Sequence, residues 1–171
     1  MKLLPLTALA GLAASPALAA DMAISVEVPR LSVAEYHNPY IAFWLETPER
    51  AHVQDLAVWY DTEMRDDEGE TWLKDMRQWW RRSGRALDLP VDGLSRPTRA
   101  PGTHEMNFSA ADFTDLPTGE YRLIVEVVRE VGGREMLEIP FQWPPSESQT
   151  LTARGEEELG ELTLSLSPSS E

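Results

Sequence analysis

The chain has 171 residues, no cysteine, and 29 Asp plus Glu against 15 Lys plus Arg, a formal charge of −14 at pH 7. Such an excess of acid repels nucleic acid and anionic lipid, which discounts both as partners. A chain without thiols forms no disulfide, no iron–sulfur cluster, no c-type haem and no cysteine nucleophile, and it tolerates an oxidising compartment.

Residues 1–19, MKLLPLTALAGLAASPALA, combine one positive charge at Lys2, a short apolar run and Ala17-Leu18-Ala19 in the pattern of a cleavage site. They are expected to be a secretory signal peptide removed near Ala19. A retained anchor fits less well, because the run is too short to span a bilayer and Pro16 interrupts it. No stable membrane insertion is expected of the rest. The remaining chain of about 150 residues is long enough for one domain with its own core, placed over residues 20–166 with a tail at 167–171. Without Lys2 that chain has 14 basic and 29 acidic side chains, a charge of −15.

Residues 24–31 alternate, with Ile24, Val26 and Val28 on one face, and predict a half-buried first strand. Residues 40–46 (YIAFWLE) are apolar on both faces, as in a central strand. Residues 55–61 (DLAVWYD) predict a third, with Leu56, Val58 and Tyr60 inward. Residues 61–70 then carry six acids against Arg65 alone, in a loop that cannot be core; acids there would favour a following helix through its dipole, and Glu70 and Lys74 are spaced as an i,i+4 pair.

The helix is predicted over residues 72–83. Trp72, Leu73, Met76, Trp79 and Trp80 fall at i, i+1, i+4, i+7 and i+8, one apolar stripe, with Lys74, Arg77, Arg81 and Arg82 opposite and Gly84 placed to end it in a left-handed conformation. Three tryptophans on one face must lie on something apolar, so the helix is expected to plug an edge or open end of the sheets. Their burial would contribute roughly 10 kcal/mol before entropy.

Residues 87–102, rich in Pro and Gly, predict an extended crossing loop, and residues 103–109 a weak strand. After a turn at Pro117-Thr118-Gly119, residues 121–131 and 135–143 predict two long strands of a hairpin about Gly132-Gly133. Residues 149–158 read as polar and mobile, and residues 161–166 as a closing strand with Leu162, Leu164 and Leu166 inward. The sum is an all-β antiparallel sandwich of about seven strands, of immunoglobulin or fibronectin type III kind, with one inserted α-helix.

Few residues suggest chemistry. His37, His52 and His104 are scattered and stand in no metal-binding spacing, so no metal site is expected. There is no G-x-S-x-G elbow, no P-loop and no dinucleotide fingerprint, so no catalytic residue is assigned and the chain is read as not an enzyme. Lys74, Arg77, Arg81, Arg82 and Arg85 against Asp75 make a local charge of +4, and Arg77, Arg81 and Arg82 are the candidate anion-binding residues. The competing reading is neutralisation of this face by the acidic 61–70 loop.

The ordered segments PYIAFWLE, VQDLAVWYD, WLKDMRQWWR, DGLSRPTRAPGTH and TGEYRLIVEVVREVGG resemble the predicted periplasmic proteins of domain-of-unknown-function family 2271, from about Ala23 to Trp143. The resemblance implies a periplasmic immunoglobulin-like sandwich. It also implies a setting beside PepSY-type membrane flavoreductases, siderophore receptors and flavin transferases, hence a helper in periplasmic electron transfer or iron acquisition. In that setting Asp92, Ser95 and Thr98 match the D-x-x-S-G-A-T spacing at which flavin transferases esterify the last Thr with FMN phosphate. Arg96 and Pro97 replace the small Gly-Ala pair and hinder approach of a bulky flavin. The expectation is a non-catalytic periplasmic accessory or interaction domain whose partner is a membrane flavoreductase or other periplasmic protein. The alternatives are an FMN carrier at Thr98 and a small-ligand or metal-binding protein using the histidines and the acidic loop.

Overall fold

The computed structural model describes residues 20–168. The signal peptide expected over 1–19 and the end of the tail, 169–171, lie outside the described residues. The strands are β1 (Ala20–Val28), β2 (Tyr40–Glu46), β3 (His52–Tyr60), β4 (Ser95–Pro97), β5 (Gly102–Phe108), β6 (Gly119–Val128), β7 (Arg134–Trp143), β8 (Gln149–Arg154) and β9 (Glu161–Pro168). They form two sheets, ordered β5-β1-β9-β8 and β4-β3-β2-β6-β7. The result is the all-β sandwich that the alternating segments predict, with nine strands among the described residues where seven were expected.

The inner faces make the main core. Met22, Ile24 and Val26 of β1 and Leu162, Leu164 and Leu166 of β9 meet Ile41, Phe43 and Leu45 of β2 and Leu123, Val125 and Val127 of β6. The two unexpected strands are edge pieces. The segment 149–158, read as mobile, begins with β8, which pairs with β9 from Gln149↔Leu166 to Arg154↔Glu161. Its residues alternate half-buried and exposed, so its sequence is too polar to announce a strand. The short β4 lies in the crossing loop and pairs parallel to β3, so the five-stranded sheet is not wholly antiparallel. At the other end, β9 carries on through Ser167 and Pro168, into what was expected to be tail.

A second core lies on the outer face of the five-stranded sheet. Ala42, Trp44, Val58, Tyr60 and Ile124 of the sheet pack against Leu73, Met76 and Trp79 of the helical insertion. The insertion therefore covers a sheet face and makes a third layer; it plugs neither an edge nor an open end. This explains why β2, β3 and β6 are apolar on both sides.

Facing in β3 departs from the simple alternation. Ala42 pairs with Val58 and Phe43 with Ala57, but Trp44 pairs with Asp55, a register shift that leaves Leu56 as an extra residue. The bulge turns both Leu56 and Ala57 into the inner core and sends Asp55 and Val58 outward. Val58 and Tyr60, expected inward, thus face the helical layer, and Trp59 takes the inner place.

The insertion is not one helix over 72–83. Residues Arg65–Asp75 wind as 3-10 turns, broken at Asp66 and Asp67 by left-handed φ of 53° and 55°; α1 (Arg77–Arg82) follows a kink at Met76, and a last 3-10 turn spans Gly84–Ala86. At three residues per turn, Trp72 eclipses Asp75 while Leu73 eclipses Met76. The stripe therefore splits. Leu73, Met76 and Trp79 are buried, Trp80 is half-buried, and Trp72 is 43% exposed. With only Trp79 fully buried, that indole contributes about 4–6 kcal/mol before entropy, in place of the roughly 10 expected of three. The same winding separates Glu70 from Lys74, and no ion pair joins them among the described residues.

Gly84 does not end the helix in the left-handed region. A Cβ there would stand 2.6 Å from the Trp79 ring, so the glycine is what lets the chain close over the indole.

Candidate functional site

Three carboxylates on the outer sheet face hold the helical layer. Glu126, in the middle of β6 and fully buried, accepts hydrogen bonds from the backbone N–H groups of Gln78 (3.0 and 3.1 Å) and Trp79 (2.8 Å), the first turn of α1. Those N–H groups have no intrahelical acceptor, and an anion is favoured there. Arg134 of β7 completes the pair at 2.6 Å. At the far end of α1, the buried Glu46 accepts from the Trp44 indole at 2.9 Å and forms an ion pair with Arg82 at 2.8 Å. Asp55, turned outward by the bulge, accepts from the Trp79 indole and the Ser83 hydroxyl, each at 2.9 Å, with His52 Nε2 at 3.1 Å.

This settles where each predicted anion-binding residue stands. Arg82 is held by Glu46 and donates to the Arg50 carbonyl. Its neutralising partner is a sheet carboxylate, not the 61–70 loop. Arg77 and Arg81 are exposed, and Arg81 Nε donates back to the Arg77 carbonyl at 3.1 Å. The trio does not converge on one point.

Nor do Asp92, Ser95 and Thr98 gather. Asp92 is exposed and accepts from the N–H of Gly93, which stands at φ 76°, and Ser95 Oγ accepts from the Val91 N–H, both at 3.0 Å. These contacts build the turn into β4. Asp92 lines a shallow depression with Arg96 and Asp112. Thr98 donates its N–H to the Tyr60 carbonyl at 3.1 Å and lines a different cavity.

That cavity, of about 400 Å³, lies where the ends of β3 and β6, the start of β2 and the insertion meet. Its apolar wall is Tyr40, Met64, Trp72 and Val131. Met64 is 40%, Trp72 43% and Val131 76% exposed, three of the five large hydrophobic side chains left exposed among the described residues. Asp61, Asp75 and Glu130 supply carboxylates to the same lining. The Tyr40 hydroxyl donates to the Gly69 carbonyl at 3.1 Å. Burial raises the Tyr40 pKa, a hydrogen bond from the Asp61 backbone pulls it down, and the charges of Asp61 and Glu130 raise it again.

The wall is fixed by the β6–β7 hairpin. Arg129 and Glu158 form a bidentate ion pair at 2.8 and 3.1 Å, nearly closed to water, and the Gly133 N–H donates to Glu158 at 2.6 Å. A Cβ on Gly132 would stand 2.6 Å from the Arg129 guanidinium carbon, and one on Gly133 would stand 2.8 Å from Glu158 Oε1. The two glycines admit the ion pair, and the left-handed residue of the turn is instead Val131, at φ 54°. Glu158, at the end of the segment 149–158 expected to be polar and mobile, is therefore buried and fixed.

The histidines stay apart. His37 lines the cavity with Nε2 3.0 Å from Glu35 and Nδ1 3.5 Å from Glu130, His52 meets Asp55, and His104 Nε2 stands 2.7 Å from the Ala100 carbonyl. Among the described residues, no group of three or more His, Asp or Glu side chains is placed to hold a metal ion.

Sequence reasoning passed over Tyr40, Met64, Glu130 and Val131, and took Trp72 for core. One signal was present for the helix clamp: Glu126 is a lone charge in the apolar run LIVEVV, and a charge there needs a buried partner.

A family model described as "Predicted periplasmic protein (DUF2271)" matches residues 21–161. No curated protein and no solved structure matches the chain. No helix among the described residues is long and apolar enough to cross a membrane.

Proposed function

The chain belongs to the DUF2271 family of predicted periplasmic proteins, and on that basis we propose that it is a non-catalytic accessory domain whose binding end is the cavity beside the β6–β7 hairpin. One observation carries this reading: Met64, Trp72 and Val131, three of the five large hydrophobic side chains exposed among the described residues, gather at that one place. The partner in this reading is the periplasmic part of a membrane flavoreductase, in electron transfer or iron acquisition, a setting taken from the family resemblance. The sandwich itself is read as immunoglobulin or fibronectin type III in kind, which its two stacked and largely antiparallel sheets support.

A second reading has a specific observation behind it. Thr98 lines the same cavity as the exposed Trp72, so an FMN esterified there would find an aromatic wall. Against it stand Asp61, Asp75 and Glu130, which would repel the phosphodiester.

Two measurements on the purified secreted protein test the pair. In the accessory reading, Trp72→Ala weakens binding to the flavoreductase periplasmic domain by tenfold or more in calorimetry, with the fold intact; unchanged affinity would sink it. Coexpression with a flavin transferase leaves the intact mass unmodified and the sample colourless. A yellow protein heavier by one FMN, reverting in Thr98→Ala, would establish the carrier instead.

A further inference from the structure

We propose that the cavity at the hairpin end binds a small organic cation with an apolar or aromatic body, an ammonium rather than an anion. The inference deepens the reading of that end as the binding end and rests on it.

Its volume, about 400 Å³, is that of a small-molecule pocket. The eclipsing of Trp72 with Asp75 brings an indole and a carboxylate to the same wall. Tyr40 adds a second aromatic ring, and Asp61 and Glu130 add charge. Of the basic groups in the lining, Arg129 is offset by its bidentate pair with Glu158, although its Nη1 has no hydrogen-bond partner, and His37 stands beside Glu35 and Glu130. With Arg129 offset by Glu158, the carboxylates of Asp61, Asp75 and Glu130 leave the lining with a net negative charge. Aromatic faces attract cations through their quadrupole, and carboxylates beside them add a Coulomb term. An anion would meet both as repulsion.

A solvated rim of acids would not account for the rest of the wall. Large apolar side chains are exposed there, and one of them, the β-branched Val131 of the lining, is held at φ 54°. Backbone strain of this kind persists where the surroundings impose it, commonly at ligand clamps.

The test compares three probes of one shape: benzylammonium, benzyl alcohol and benzoate, titrated into the purified secreted protein by calorimetry and two-dimensional NMR. Benzylammonium is expected to bind saturably and at least tenfold more tightly than benzyl alcohol, shifting resonances of Tyr40, Trp72 and Val131, and benzoate is expected not to bind. Its affinity should fall as salt is raised, since the carboxylates lie near solvent. Asp75→Asn, Glu130→Gln and Trp72→Ala should each weaken it about tenfold, while Glu105→Gln on β5 should leave it unchanged. Absence of saturable binding, binding of benzoate, parity of the alcohol, or indifference to all three cavity variants would overturn the proposal. If benzylammonium fails while Trp72→Ala still weakens the flavoreductase domain, the cation site falls and the binding end stands. If Trp72→Ala alters neither, both fall.

Discussion

Val131 shows most directly how one residue links strain to surface. Hairpin turns that need positive φ are ordinarily given Gly or Asn, yet here the left-handed position carries a β-branched side chain. The neighbouring glycines are not spare: each admits an atom of the Arg129–Glu158 pair where a Cβ would collide. Val131→Asn is therefore expected to stabilise the protein by about 1 kcal/mol, because Asn tolerates the left-handed region at little cost. Urea denaturation should show a higher midpoint with an unchanged slope. Had Val131 been adapted to the turn, the substitution would leave the midpoint where it is. The lone carboxylates of the central strands follow related logic. Glu46, Asp55 and Glu126 each sit where an apolar residue would satisfy the pattern, and each meets a donor that would otherwise be stranded under the helical layer.

Among the elements, the β8–β9 connection shows how an acidic segment becomes fixed. Glu135 of β7 accepts the backbone N–H groups of Glu156 (2.6 Å), Glu157 (3.4 Å), Glu158 (2.9 Å) and Leu159 (3.0 Å). Burial alone would raise the pKa of this carboxyl, but the four donors outweigh it and hold the group below the ordinary glutamate value of 4.5. Because the folded value lies under the unfolded one, the unfolded chain takes up this proton first as pH drops. The stabilisation is complete above about pH 4.5 and is lost as pH falls through the folded value. Comparing the wild type with Glu135→Gln in denaturant titrations at several pH values should show a difference that is constant near neutrality and shrinks in acid. A difference that stayed flat down to the lowest pH would rule out the anchor. The helical insertion makes a similar point about winding: its first turns are 3-10, and that choice alone sends Trp72 to water and Leu73 to the core.

At the scale of the molecule, the protein is a sandwich with a third layer on one outer face, and the tryptophans of that layer divide between structure and surface. Trp79→Ala should cost about 3–5 kcal/mol, since it empties a fully buried site and removes the indole's hydrogen bond to Asp55. Trp72→Ala should change stability by less than about 1 kcal/mol. Thermal unfolding of the two variants checks this, and equal destabilisation would mean that both indoles belong to the core. The fold was legible where burial is periodic: β2 was placed to the residue and the β6–β7 hairpin nearly so, whereas the two-faced apolarity of β2 was read only as that of a central strand and the helical cover was expected at an edge or open end. The candidate site was far less so, because Tyr40, Trp72 and the Glu130-Val131 pair come from three separate segments and share no pattern in the chain.

What the residues by themselves determined was therefore the class of fold, the acidic surface, the need of an aromatic-rich helical piece for an apolar bed, and the family resemblance. Periodicity reports that a face is covered; it does not report by what. Only the tertiary structure decided that the cover is a third layer on the sheet, that a bulge turns Asp55 toward it, that polar β8 is recruited as a strand, and that Trp72 walls an acidic cavity. Each of these depends on pairings between residues distant in sequence, whose register and winding are set by packing after the local preferences have been satisfied.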